Sequence, residues 1–142
     1  MANSIIKELI TYLLTVSDIT DVTGTNIKPG TISQTRKPPY ITVSTVYSET
    51  DQTLAGTDDF VMKAVRIDCV SYKYSQTDQL HEIVRENLDT YQQALMGPFW
   101  INSTRIVDEF DDQIEPKANN QKWTYVKSSI YEIHYPQADS NV

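Results

Sequence analysis

The apolar residues of segment 75–95 recur at helical spacing, and this pattern constrains the fold more than any other part of the chain. Drawn as a helix, they fall within an arc of about 140°; they are Leu80, Ile83, Val84, Leu88, Tyr91, Ala94 and Leu95. Ser75 or Thr77 can cap the start, and Gly97-Pro98 is expected to stop the helix. The segment is therefore predicted to be a helix that covers one face of a sheet and shows its polar side to water.

A second helical pattern covers residues 4–16, with Ser4 or Asn3 available as N-cap. Its apolar arc spans about 200°, which is wider than one contact with a sheet requires. The members of the arc are Ile5, Ile6, Leu9, Ile10, Tyr12, Leu13, Leu14 and Val16. Two interpretations follow: a helix sunk deep in a small core, or a helix shared with a neighbouring subunit.

The other apolar segments alternate with period two, as β-strands do. Strands are expected at 40–47, 60–72, 99–110 and 123–135, with a short one at 27–30 after a turn or single helical turn at 17–24. Because helices and strands do not alternate regularly, the order favours an α+β fold, a mainly antiparallel sheet with two amphipathic helices packed on one face. A length of 142 residues predicts one domain, with 136–142 as a flexible C-terminal tail.

The chain is acidic, with a net charge of −7. Such a charge repels phosphate, and no basic stripe is present, so tight binding of nucleic acid is not expected. Cys69 is the only cysteine, which excludes an intrachain disulfide, and its strand-like surroundings predict a buried thiol. The N-terminal segment has no basic cluster, and no apolar run approaches the ~20 residues of a membrane span. Neither an export signal nor a membrane anchor is expected.

The chain has only two histidines and one cysteine, whereas carboxylates are plentiful. His81 lies at the margin of the apolar arc and His134 near the end of the last strand, so both are expected at the surface or at an edge. Neither has another His or Cys at metal-ligand spacing, and the phosphate-binding and nucleophile motifs are absent. The acidic pairs are interpreted as solvated loop charge: Asp58-Asp59, Asp108-Glu109 and Asp111-Asp112 with Glu115. We expect no catalytic residue, no metal site and no cofactor.

Two long polar segments, 48–59 and 111–122, lie between strand-like runs. Long polar segments in a compact domain are often functional, so both are predicted to be loops that contact partners. The candidate contact residues are all acidic: Glu49, Asp51, Asp58, Asp59, Asp111, Asp112 and Glu115.

Several passages follow one another in a characteristic order. They are an N-terminal amphipathic helix, Ile27-Lys28-Pro29-Gly30, Pro38-Pro39-Tyr40-Ile41-Thr42-Val43, the run Val65-Arg66-Ile67-Asp68-Cys69-Val70-Ser71-Tyr72 leading into a helix that closes with Leu88, and a final aromatic strand from Trp123. In this order they resemble the tail-completion and tail-terminator proteins of long-tailed bacteriophages, over roughly residues 5–136.

The resemblance implies a small α+β subunit, without catalytic residues, that forms a homo-oligomeric ring, a hexamer, at the head-proximal end of a tail tube. Such a ring ends tail elongation and provides the surface for head-tail joining. The implied partners are further copies of the chain, the tail-tube protein and the head connector or stopper protein, with no membrane. DNA would pass along an acidic channel wall without specific binding. The implied location is the head-tail junction of the virion, after assembly in the host cytoplasm.

Three alternatives remain at the level of the sequence. The first is a head-completion or neck connector protein of the same virion class. The second belongs to a different class, a cytoplasmic module that binds a ligand or peptide on the sheet face opposite the helices. The third is a small metal-dependent hydrolase built on Asp111, Asp112 and Glu115.

Overall fold

The computed structural model of the chain describes residues 4–32, 37–52, 59–116 and 122–136, and this part contains three helices and seven strands. In chain order they are α1 (Ile5–Leu14), α2 (Ser17–Thr23), β1 (Ile27–Pro29), β2 (Tyr40–Gln52), β3 (Asp59–Ser71), α3 (Tyr74–Leu88), β4 (Ala94–Met96), β5 (Phe99–Ile101), β6 (Ser103–Ile114) and β7 (Thr124–Pro136). The predicted α+β class is confirmed.

Five of the strands form one sheet in the order β1-β2-β3-β7-β6. All neighbouring strands run antiparallel except β1, which runs parallel to β2 over three residues. β4 and β5 form a separate two-stranded hairpin. The large sheet therefore has two edges: β6 at one side, and the short β1 with the remainder of β2 at the other.

All three helices pack on the same face of this sheet. Their buried apolar side chains join those of the strands in one core cluster: Ile5, Leu9 and Leu13 from α1, Ile19 from α2, Leu80, Val84 and Leu88 from α3, and Ile41, Val43, Val65, Ile67, Cys69, Tyr131 and Ile133 from the sheet. Full burial of such a side chain contributes about 1.5–3 kcal/mol. Among the described residues, no helix is long and apolar enough to cross a membrane.

The first helix begins where its capping residue predicts. The Ser4 hydroxyl accepts the Lys7 backbone N–H at 3.1 Å, which satisfies one of the amides without a partner inside the helix. The middle of the apolar arc is buried, and its flanks, Ile6 and Ile10, are partly buried against the same core cluster. Leu14 is the most exposed apolar residue of α1, at 36%. The width of the arc is thus largely explained within the subunit.

The predicted helix over 75–95 is too long by seven residues, because α3 ends at Leu88. The carboxylate of Asp89 accepts the backbone N–H of Ile106 at 3.0 Å, which ties the end of the helix to β6. The chain then turns into β4, and Gly97 occupies the following turn with a φ of 59°. Met96, Phe99 and Ile101 are buried in this hairpin. Strand pairing therefore replaces the last predicted helical turns.

Both predicted contact loops are shorter than the sequence suggests. β2 continues to Gln52 and β3 begins at Asp59, so residues 48–52 and 59 of segment 48–59 belong to paired strands, and residues 53–58 lie outside the described part of the chain. Likewise β6 continues to Ile114, which puts Asp111 and Asp112 on a strand rather than in a loop. Polar residues fit these strand ends because one side of an edge or protruding strand remains in water. The predicted tail lies, after Pro136, outside the described residues.

Candidate interaction surfaces

The sheet face opposite the helices, here called the helix-free face, is built around a buried acid. Side chains of neighbouring strands that share a register row project to the same side. Asp68 pairs with Thr42 on β2 and with Ser128 on β7, and Ser128 pairs with Phe110 on β6. All four therefore lie on this face, beside Arg66, which is two residues from Asp68.

The Asp68 carboxylate is only 2% exposed and is fully engaged by donors. It accepts the Arg66 Nε–H at 2.9 Å, the Thr42 hydroxyl at 3.3 Å and the Ser128 hydroxyl. The Arg66 guanidinium also lies 5.0 Å above the centre of the Phe110 ring. This buried charge is thus neutralised by an arginine that itself stacks on an aromatic ring.

The Asp68 network holds three strands together and leaves no free polar group at its centre. A satisfied buried network fixes register, because a slip by one residue would leave a charge without partners. The Asp68 carboxylate is already paired with Arg66, Thr42 and Ser128, so it is not available to act as an acid or base. The signal in the sequence was an acidic residue, flanked by Ile67 and Cys69, in a mostly apolar strand that also carries Arg66 two residues earlier.

A bulge in β6 decides which way its acidic residues point. The pairing with β7 shifts between Ile106 and Asp108, so Val107 is the additional residue. Before the bulge Ile106 faces the core, and after it Asp108, Phe110 and Asp112 face the helix-free side. One inserted residue reverses the alternation of a strand.

Because of this reversal, Glu109 faces α3 and meets His81. The imidazole Nε2 lies 2.5 Å from Glu109 Oε1, and the Arg85 guanidinium donates to the same oxygen at 3.1 Å. His81 is fully buried, so its predicted place at the surface is wrong. His134 is partly buried in β7, between β3 and β6, and does not lie at a sheet edge.

The same region holds one group of possible metal ligands within the described ranges. Ligand atoms of His81, Glu82 and Glu109 lie within 4.8 Å of one another. The side chains belong to two elements that the sequence alone does not connect. Arg85 already provides a positive charge to Glu109, which competes with any cation at this position.

Asp111 also faces the helices, where it joins a small charged cluster. Lys127 Nζ lies 3.0 Å from Asp78 and 3.7 Å from Asp111, and the Tyr74 hydroxyl donates to Asp111 at 3.2 Å. The hydrogen bond to Asp78 raises the pKa of Lys127, with a further contribution from Asp111. This predicted contact residue therefore ties α3 to the end of the β6-β7 hairpin.

The two hairpins that carry the predicted contact residues close at opposite ends of the sheet. At one end Gln52 pairs with Asp59, next to the rung between Phe60 and Pro136. At the other end Ile114 pairs with Thr124, next to the rung between Ser71 and Tyr125.

Glu49 is exposed near the first end, and Asp112 and Glu115 are exposed near the second. Asp58 and the side chains of Asp51 and Asp59 lie outside the described residues. The structure thus separates the acidic residues into two groups rather than one site.

Cys69 confirms the prediction of a buried thiol, and burial raises the pKa of the thiol. The thiolate is the reactive form of cysteine, so we expect no reaction with a thiol reagent such as DTNB in the native protein at pH 8. One equivalent should react in urea. Rapid modification of the native protein, with unchanged circular dichroism, would show that β3 is more accessible than the structure indicates.

No protein-family model matches the sequence, and no curated protein matches it. Solved structures do match the fold. One is a chain from the virion of a native gene transfer agent particle, with a TM-score of 0.69 and 10% sequence identity. The match covers 94% of this chain and 95% of that chain. The two chains therefore share a fold over nearly their whole lengths.

Proposed function

We propose that this chain is a non-enzymatic structural protein of a phage-like virion. In this proposal it caps the tail tube as a ring, ends tail elongation and provides the surface that joins the head. Support comes from the fold shared with a chain of a gene transfer agent virion over nearly the full length of both chains. The order of sequence passages that resembles tail-terminator proteins adds to it.

The observation that carries the proposal is the closure of two long hairpins at opposite ends of one sheet. A protein that joins two different partners needs two contact surfaces that face away from each other. The β2-β3 end carries Glu49 and the β6-β7 end carries Asp112 and Glu115, all exposed. We assign one end to the tail tube and the other to the head connector.

The ring itself is proposed to be a hexamer of this chain around a DNA channel. A net charge of −7 suits a channel wall, because phosphates pass an acidic surface without binding to it. The alternative of a ligand-binding module on the helix-free face has less support. The centre of that face is filled by the Asp68 network, whose donors and acceptors are already paired with each other.

The test is deletion of the gene in the phage or particle that carries it. Without a cap the tube continues to grow, so electron microscopy of the lysate should show separate DNA-filled heads and tails of abnormal, often excessive length. Supplying the wild-type gene from a plasmid should restore particles of normal length.

Other outcomes of the deletion are equally informative. Tails of normal length that fail to attach would assign the chain to the neck or connector instead. Normal infectious particles would overturn the assembly proposal as a whole.

A further inference from the structure

The large sheet leaves both of its edges open within the described part of the chain. β6 has β7 on one side only, and β1 covers only residues 41–43 of β2. Open edges present unpaired backbone groups and are sites where another chain can add to a sheet. The side chains along the two edges indicate which partner chain would add there.

One register row connects a cation at one edge with acids at the other. Following the pairs across the sheet, the row runs through Lys28, Thr42, Asp68, Ser128 and Phe110. Lys28 therefore ends the row at the β1 edge. At the β6 edge, the row ends at Phe110, with Asp108 and Asp112 two residues to either side on the same face.

These charges are exposed and have no partner of opposite sign among the described residues. Lys28 forms no ion pair there, and Asp108 and Asp112 accept only the neighbouring backbone N–H groups of Glu109 and Gln113, at 2.9 and 2.8 Å. Arg66, which also lies near this row, is already neutralised by Asp68.

The next rows, toward the other end of the strands, also bring opposite charges to the two edges, but with the signs exchanged. Tyr47 ends the row that finishes at Arg105 on β6, and Glu49 ends the row beside it on the same face. Arg105 is 71% exposed although it also pairs with Glu132. In the direction from Arg105 to Asp112, the charge along β6 changes from positive to negative. In the same direction, the opposite edge changes from negative at Glu49 to positive at Lys28.

An apolar residue lies between the two charged regions at each edge. Both edge strands carry a bulge, at Val46 in β2 and at Val107 in β6. Their side chains are 45% and 42% exposed, and the two bulges fall within one row of each other. An apolar centre with charged flanks is the usual composition of a protein interface.

We propose that β6 of one copy packs against the β1-β2 edge of the next copy, with Asp108 and Asp112 around Lys28 and Arg105 beside Glu49. β6 runs antiparallel to β2 within one copy. When copies are related by rotation about an axis along the strands, β6 of one copy therefore also runs antiparallel to β2 of the next. Two β6 edges paired around Phe110 would instead place Asp108 of one copy against Asp112 of the other, whereas the proposed contact joins two different edges. The contact is therefore heterologous, as ring closure requires. This inference rests on the proposed ring.

A charge exchange tests the contact with the full-length chain, by sedimentation velocity over a range of protein concentrations. Lys28→Glu alone, and Asp108→Lys with Asp112→Lys, should each weaken assembly by about tenfold or more in dissociation constant. The variant that carries all three substitutions should assemble again, because attraction is restored. Lys73→Glu, which reverses an exposed lysine away from both edges, should assemble like the wild type.

Each outcome decides the proposal, provided that circular dichroism shows folded variants. The proposal is supported only if both single-edge variants assemble more weakly than the wild type and the triple variant regains assembly. Single-edge variants that assemble normally, a triple variant that does not recover, or a wild-type chain that stays monomeric would overturn it. Overturning the contact while the gene deletion still gives overlong tails would leave the proposed function intact. If the charge exchange supports the contact but the gene deletion gives normal particles, the proposed function is rejected and the contact between copies stands.

Discussion

Leu88→Ala is expected to lower the free energy of unfolding by about 2–5 kcal/mol. Leu88 is fully buried in the last turn of α3 and belongs to the core cluster between the helices and the sheet. Its truncation removes apolar contacts and leaves a cavity that the rigid sheet cannot fill completely. For a domain of this size the loss is a large share of the total stability.

Leu95→Ala is the matched control, because both leucines fall on the same apolar arc in the sequence. Leu95 is 61% exposed on β4, so its substitution should change the free energy of unfolding by less than about 0.5 kcal/mol. Urea denaturation followed by circular dichroism measures both variants. Equal midpoints for the two would show that the end of α3 is placed wrongly.

Arg66→Met is expected to destabilise the protein by about 2–3 kcal/mol. The substitution keeps an apolar side chain against Phe110 but removes the one cation that contacts the Asp68 carboxylate within the described part of the chain. Asp68 is 2% exposed, so its charge cannot be hydrated in place of the lost partner. Arg66 itself is 37% exposed, which keeps the expected loss below that of a fully buried pair.

Two further variants make this second prediction specific. Arg85→Met removes a guanidinium from Glu109, whose side chain is 36% exposed, and should cost less than about 1 kcal/mol. Asp68→Asn added to Arg66→Met should recover part of the lost stability, because the buried charge is then absent. If Arg66→Met costs no more than Arg85→Met, the Asp68 network does not stabilise the sheet as described.

Most secondary structure follows from local patterns in the sequence. The helical spacing of α1 and the first part of α3, and the alternation in the middle of β2, β3 and β7, give the correct elements because one face of each is buried. The class of the fold and the burial of Cys69 and Leu88 follow from the same patterns. The buried side of an element is therefore readable without the tertiary structure.

The predictions from the sequence are wrong where contacts between distant segments, and not local patterns, determine the secondary structure. Apolar spacing continues past Leu88, yet the bond from Ile106 to Asp89 and the pairing of β4 with β5 end the helix. Polar strand ends resemble loops in the sequence, because the pairing that makes them strands involves residues far along the chain.

The sequence by itself determined the class of the fold, the core faces of its main elements, the acidic charge and the absence of recognised catalytic motifs, since these depend on composition and local spacing. Only the tertiary structure decided the orientation of the acids on β6. The bulge at Val107 turns Glu109 toward His81 and Asp108 and Asp112 toward the helix-free face. Likewise, only strand pairing places Lys28 in the row of Phe110, because register is fixed by contacts across five strands and not by neighbours in the chain.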